Sequence, residues 1–284
     1  MAFDTLTPSL KGIATRALAF CKAEFGSNSL AVDSAIHKDI PWRPTFSMKP
    51  TSSLIVAVEV ADNLYPEALR GAAHEITQFD FPIAVYQACS LELYQSDRGE
   101  ARVNLLRRYG FGLITVDADG RVTPQFAAVP LAQHISKETL NAAAAGLNRS
   151  IRIRLNAAHT AYAANAGQGL QLVGQVIEGL IACIAKQAAD EGLVAQGAAN
   201  GDLADAIDAL YTSPGFSQQR AALGAARAFV REFRNTASHA PKNGKQAAAK
   251  MRRCRAGFLN GVELAKKLRQ VLQAHDYQTK IYVV

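Results

Sequence analysis

Arg234 and His239, separated by four residues with Asn235 directly after the arginine, are the side chains of this sequence best suited to catalysis. Histidine titrates near neutral pH, so it can take and give a proton within one catalytic cycle. Arginine stays charged, and its planar guanidinium matches two phosphate oxygens at once. Together they suit cleavage of RNA by its own 2′-hydroxyl group, with histidine moving protons and arginine holding the phosphorus oxyanion. This reaction needs no metal ion.

The residues before this pair predict an amphipathic helix from Gln218 to Phe233. We expect the helix to end by Ala240, because the residue before a proline disfavours the helical conformation. Arg234 then lies in its last turn and His239 at or just past its end. The same placement permits a purely structural role, since both side chains complement the dipole of a helix C-terminus. The apolar residues that recur at three- and four-residue spacing are Leu223, Ala226, Phe229, Val230 and Phe233.

Arg234-Asn235-x-x-x-His239 resembles the Arg-polar-x-x-x-His motif of HEPN domains, all-α domains of prokaryotic defence systems, toxins and RNA-processing proteins. A long basic helix predicted from Gly244 to Gln273 fits that context. The resemblance implies that Arg234 and His239 are catalytic, that Asn235 orients them, and that two protomers pair with both motifs in one cleft. Some members carry a modifiable tyrosine two residues after the histidine. Pro241 stands there in this chain, so that control is not implied.

The resemblance also implies an acidic residue near the motif. Glu178, on a helix predicted from Gly169 to Ala189, is the candidate, and an ordinary exposed glutamate is the alternative. Cations after the motif would hold the RNA backbone. The predicted RNA-binding residues are Lys242, Lys245, Arg252, Arg253 and Arg255.

Positive charge is concentrated at the C-terminal end. Residues 220–284 contain 14 Lys and Arg against 3 Asp and Glu, whereas the first 219 residues contain 17 and 21. A strongly basic segment is typical of proteins that bind a polyanion, and we expect nucleic acid. A solvated basic helix face without a partner is the alternative.

Composition indicates a folded soluble protein, with 49% hydrophobic and 19% charged residues. No apolar run reaches the roughly 20 residues of a membrane helix, and the first residues do not resemble a secretion signal. The four cysteines form no CxxC pair, and no histidine has a partner at metal-ligand spacing. We therefore expect no cofactor, no metal and a cytoplasmic location.

The first half of the chain predicts an α/β layer. Apolar, β-branched runs at 53–60, 82–87 and 111–116 are separated by helices predicted at 66–79 and 100–109. This order resembles the restriction-endonuclease-like fold, also called PD-(D/E)xK.

In that family a Pro-Asp and a following Glu-x-Lys carry the metal site. The corresponding positions here are Thr51, Glu59 and Ala61, so only the glutamate matches. One carboxylate does not hold Mg²⁺ for nuclease chemistry. The resemblance therefore implies a scaffold or recognition domain. Glu59 is alternatively a strand-end carboxylate facing water.

The sequence thus predicts a two-domain α+β protein. An endonuclease-like sheet domain, inactive as a nuclease, occupies residues 1–135, and an all-α HEPN-like bundle occupies 136–284. We expect strands only in about the first 125 residues and helices almost throughout after about 145. The expected function is metal-independent RNA cleavage by a homodimeric defence or toxin effector, with a cognate antitoxin or defence-system partner and no membrane. A non-catalytic module binding RNA or protein, and a DNA nuclease acting through the N-terminal domain, are the alternatives.

Overall fold

The computed structural model describes residues 3–26, 29–68, 72–96, 99–233 and 240–279. The chain divides into two compact units. The sheet unit comprises residues 1–137 together with 240–252, and the helical unit comprises 138–239 together with 253–284. The sequence-based division at 135/136 placed residues 240–252 with the C-terminal domain, whereas the structure groups them with the sheet.

Six strands form one mixed sheet in chain order. The central strands β3, β4 and β5 run parallel, and the outer pairs are antiparallel. The strands are β1 (Leu30–Val32), β2 (Phe46–Thr51), β3 (Leu54–Val60), β4 (Ile83–Ser90), β5 (Gly112–Val116) and β6 (Val122–Phe126).

Both faces of the central strands are buried, as their nearly continuous apolar sequence predicts. One core lies between the sheet and helix α1 (Pro8–Phe25), and includes Ala17, Val58 and Ile114. The other core includes Ile55, Val85 and Leu113, with Trp42 packed against it. The remaining helices described in the sheet unit are α2 (Ala73–Gln78), α3 (Leu91–Gln95) and α4 (Gly99–Arg108).

In the described residues, every regular element from Lys137 onward is helical and strands end at Phe126. The predicted α+β class and the confinement of strands to the first part of the chain are confirmed. The elements are α5 (Lys137–Ala143), α6 (Arg149–Ala164), α7 (Ala166–Asp190), α8 (Gln196–Ala199), α9 (Leu203–Thr212), a 3₁₀ helix (Pro214–Gln219), α10 (Arg220–Phe233) and α11 (Gly244–Ala274).

Helix α7 forms the apolar centre of the helical unit. It begins at Asn165, whose side chain accepts hydrogen bonds from the backbone N–H groups of Gly167 and Gln168. The absence of a side chain at Gly169 lets α7 cross close to Tyr162 of α6. By length and composition α7 is apolar enough to span a membrane, but 56% of its most apolar window is buried. This burial is consistent with the core helix of a soluble protein.

Candidate active site

The predicted catalytic residues Arg234, Asn235 and His239 lie in the stretch 234–239, outside the described residues. Their catalytic roles therefore stay predictions. The structure describes the elements on both sides of the stretch, since α10 is described to Phe233 and α11 begins at Gly244.

The predicted apolar stripe of α10 is buried at Leu223, Ala226, Phe229 and Phe233, while Val230 is half-buried. Two glycines of α11 give the phenylalanine rings room. A Cβ added to Gly257 would lie 2.6 Å from Cδ1 of Phe233, and one added to Gly261 would lie 3.1 Å from Cε2 of Phe229. The residue directly before Arg234 is thus packed tightly against α11.

Arg253 holds the end of α10 by a hydrogen bond. Its Nη2 donates to the backbone carbonyl oxygen of Glu232 at 2.9 Å. A hydrogen bond from a charged donor is stronger than one between neutral groups. The side chain of Arg253 remains exposed. The residue predicted to bind RNA therefore also stabilises the helix that leads into the motif.

The chain after the motif is fixed by a capping arrangement. The backbone N–H of Gln246 donates to Oδ1 of Asn243 at 3.0 Å, and the N–H of Lys242 donates to Oε1 of Gln246 at 2.9 Å. Such reciprocal bonds satisfy donors that a helix N-terminus leaves unpaired. They set the start of α11 and leave the side chain of Lys242 exposed, as its predicted RNA-binding role requires.

Two of the predicted RNA-binding residues, Lys245 and Arg252, meet at Asp80. The guanidinium of Arg252 donates from Nη1 to the carbonyl oxygens of Gln78 at 3.3 Å and Phe79 at 2.9 Å, and from Nη2 to Oδ1 of Asp80 at 3.3 Å. Nζ of Lys245 lies 3.6 Å from Oδ2 of the same carboxylate. Asp80 cannot be recognised from the sequence, because nothing in the local pattern links it to residues more than 160 positions later.

The remaining predicted site residues lie in the helical unit. Arg255 is half-buried near Tyr162; burial raises the pKa of that tyrosine, and the arginine acts in the opposite direction. Glu178 is half-buried in the middle of α7, between buried neighbours Ile177 and Leu180. Because the pair that Glu178 would serve lies outside the described residues, its role stays a prediction.

An open groove beside the end of α10 has a volume of about 210 Å³. Phe229 and Phe233 contribute its apolar floor, and Glu232, Glu263 and Lys267 contribute charged groups. Ligand sites usually enclose roughly 300–1,000 Å³. The groove is smaller than that range, so we do not interpret it as a ligand pocket.

In the sheet unit, Glu59 is buried, with 7% of its surface exposed, so the alternative that it faces water is wrong. Its Oε1 accepts a hydrogen bond from the backbone N–H of Glu67 at 3.1 Å, and the N–H of Ala68 also donates to it. Burial raises the pKa of Glu59 to about 7, although these two hydrogen bonds act to lower it. Side chains alternate along a strand, so Glu59 lies on the same face of β3 as the buried residues Ile55 and Ala57. This alternation is the sequence signal that could have predicted its burial.

Gln87 is the in-register neighbour of Glu59 on β4 and is 1% exposed. Its Nε2 donates to the carbonyl oxygen of Asn63 at 3.2 Å. The Oε1 atom of Gln87 is buried without a hydrogen-bond partner, and so is the Oε2 atom of Glu59. The two side chains lie on the same face of neighbouring strands, and a proton on Glu59 turns its unpartnered oxygen into an O–H donor.

Thr51, which stands where the endonuclease motif has its metal-binding aspartate, lies far from Glu59. Thr51 pairs with Leu54 at the other end of β3. At roughly 3.3 Å per residue, Leu54 lies about 16 Å along the strand from Glu59. The β2 end beside Glu59 instead carries Thr45, whose Oγ1 accepts from the N–H of Val60 at 2.9 Å. In the described part of the chain, no three His, Cys, Asp or Glu side chains converge as metal ligands.

No family model, no curated protein and no solved structure matches the chain.

Proposed function

We propose that this protein is a metal-independent endoribonuclease of the HEPN type, acting in the cytoplasm as a defence or toxin effector. The observation that carries the proposal is the Arg234–His239 spacing between α10, described to Phe233, and α11, which begins at Gly244. Phe233 packs on Gly257 directly before the motif, and Asn243 caps α11 directly after it. Both helices belong to the pattern that the HEPN resemblance implies.

In the proposed reaction, the 2′-oxygen of a ribose attacks the adjacent phosphorus and the bond to the 5′-oxygen breaks. The proton of the 2′-hydroxyl goes to a base, and an acid protonates the departing 5′-oxygen. His239 serves as acid and base, while Arg234 stabilises the negative charge on the phosphoryl oxygens. Asn235 orients the pair. The products are a 2′,3′-cyclic phosphate and a free 5′-hydroxyl.

Among the predicted RNA-binding residues, Lys242 and Arg253 are exposed and take no part in the contacts with Asp80, so they are the first candidates for contact with the RNA backbone. Lys245 and Arg252 bind RNA only in competition with Asp80. Arg255 is half-buried. The RNA-binding assignment is therefore strongest for Lys242 and Arg253.

Homodimerisation completes the proposal, because the motif supplies one histidine per chain and the reaction needs both an acid and a base. A two-fold contact places each surface patch against its own copy. The second protomer thereby contributes a second His239 and a second Arg234 to the same cleft. A cognate antitoxin or defence-system protein is the proposed controlling partner.

For the sheet unit we propose an endonuclease-like scaffold that does not cut DNA. The order α1, three antiparallel strands β1 to β3, crossover and parallel β4 supports this interpretation. The separation of Thr51 from Glu59 supports the lack of a working metal site.

The test compares wild-type protein with His239→Ala and Arg234→Ala on RNA and on the same RNA with 2′-deoxyribose at the cleaved positions. We expect wild-type protein alone to cut, to leave cyclic phosphate ends, and to spare the deoxy substrate. Unchanged RNA binding by His239→Ala, with cleavage lost, identifies a catalytic residue. Binding without cleavage by the wild-type protein identifies a non-catalytic binding module instead.

A further inference from the structure

The start of α11 belongs to the sheet unit through contacts with residues 78–81. Arg252 donates hydrogen bonds to the carbonyl oxygens of Gln78 and Phe79 and to the carboxylate of Asp80. The backbone at Gly244 lies against the ring of Phe81, with no room there for a side chain. These contacts act on the chain that directly follows the motif.

Arg252 makes most of the polar contacts between the start of α11 and residues 78–81. Its guanidinium engages three acceptors, and two of them are carbonyls at the C-terminal end of α2, where a cation is favoured by the helix dipole. Its side chain is 29% exposed, whereas that of Lys245 is 79% exposed and lies farther from Asp80 at 3.6 Å. Exposed ion pairs contribute little to stability, so Lys245 is the weaker partner. We call Arg252, Asp80 and the two carbonyls the Arg252 clamp.

The adjacent arginine acts on the other side of the motif. Arg253 holds Glu232, two residues before Arg234, within the helical unit. Arg252 holds the segment 240–252, whose first residue is bonded covalently to His239. Arg252 therefore acts after the motif within the sheet unit, and Arg253 acts before it within the helical unit.

We infer that the Arg252 clamp positions the segment after the motif for RNA cleavage, so that Arg252 and Asp80 are positioning residues rather than RNA ligands. This inference rests on the proposed function. Because catalysis requires groups held in a narrow geometry, loosening 240–252 lowers the rate of the bound complex more than it lowers RNA affinity. An RNA ligand behaves in the opposite way, since its loss weakens binding.

The experiment uses the full chain and four variants: Arg252→Ala, Asp80→Asn, Arg252→Lys and, as the matched control, Asp119→Asn. Asp119 is an exposed carboxylate in the turn between β5 and β6. Hydrogen exchange of the amides in 240–252 is measured without RNA, and kcat and KM are measured with RNA. Trp42 fluorescence on urea unfolding confirms that each variant is folded.

We expect Arg252→Ala to speed exchange in 240–252 by about tenfold, the size expected for loss of a charged hydrogen bond. Asp80→Asn should speed it less, because the Asp80 side chain is 60% exposed and the two carbonyl acceptors of Arg252 remain. For Arg252→Ala we expect kcat to fall about tenfold with KM unchanged, Arg252→Lys to restore part of both, and Asp119→Asn to change neither. If Arg252→Ala does not fold, Asp80→Asn carries the test alone.

Unchanged exchange in folded Asp80→Asn and Arg252→Ala overturns the clamp. Faster exchange with unchanged kcat, or a rise in KM alone, overturns the positioning role and identifies Arg252 as structural or as an RNA ligand. If wild-type protein does not cut RNA, the proposed function fails and the positioning role fails with it, while the exchange data still decide whether the clamp holds the segment.

Discussion

Replacement of Glu59 by glutamine should stabilise the sheet unit at neutral and alkaline pH. Glutamine has the shape of a protonated glutamate. Its carbonyl oxygen can accept the hydrogen bond from Glu67, and the side chain carries no charge into the buried site. The wild-type carboxylate, once ionised, is a buried charge whose Oε2 has no hydrogen-bond donor.

The magnitude follows from the pKa of Glu59, raised from 4.5 to about 7 chiefly by burial. A folded-state pKa above the unfolded value means that the folded unit binds more protons, so its stability falls as pH rises. The loss begins near pH 4.5 and is complete above about pH 7. Since each pH unit in that window corresponds to about 1.4 kcal/mol, full ionisation destabilises the folded unit by about 3 kcal/mol.

Urea unfolding followed by Trp42 fluorescence measures this effect. Trp42 is the single tryptophan and packs against the core on the Glu59 side of the sheet. Between pH 5 and 8, wild-type protein should lose about 2.5 kcal/mol relative to Glu59→Gln. Glu75→Gln, which neutralises an exposed carboxylate of α2, should follow the wild-type curve. Parallel wild-type and Glu59→Gln curves over this range would refute the assignment of a buried proton to Glu59.

Three further predictions concern the helical unit and RNA. Gly257→Ala should destabilise the protein by about 1–3 kcal/mol in thermal unfolding, because its Cβ would meet the buried ring of Phe233; Gly174→Ala, where the added Cβ meets nothing, should be neutral or stabilising. Lys242→Ala should weaken RNA binding and reduce the slope of log affinity against log salt by about 0.7, whereas Lys22→Ala should change neither. Excess His239→Ala chains mixed with wild-type chains should lower activity more than dilution does, and full-rate cleavage by a protein that light scattering shows to be monomeric would exclude the shared cleft.

The sequence predicts the central sheet because β3, β4 and β5 are apolar on both faces. It does not predict β2, whose burial alternates and whose chain contains Lys49 and Pro50. Such a strand becomes recognisable only from its antiparallel pairing with β1 and β3.

Some features of the candidate site can likewise be predicted from local sequence, and others depend on contacts between distant residues. The helices around the motif follow from periodicity and capping residues, which are local signals. The contacts of Arg252 do not, because a guanidinium suits a phosphate and a carboxylate equally and Asp80 lies 172 residues away. Glu59 is an intermediate case. Alternation along β3 predicts that its side chain is buried, but it does not predict that Gln87 is its neighbour on β4.

Incubation of the pure protein with mixed RNA in excess EDTA, beside His239→Ala, tests the central claim most directly. The account predicts undiminished cleavage by wild-type protein in EDTA and no cleavage by the variant, because the motif moves protons and holds charge without a metal ion. Loss of wild-type cleavage in EDTA, or equal cleavage by His239→Ala, would contradict it.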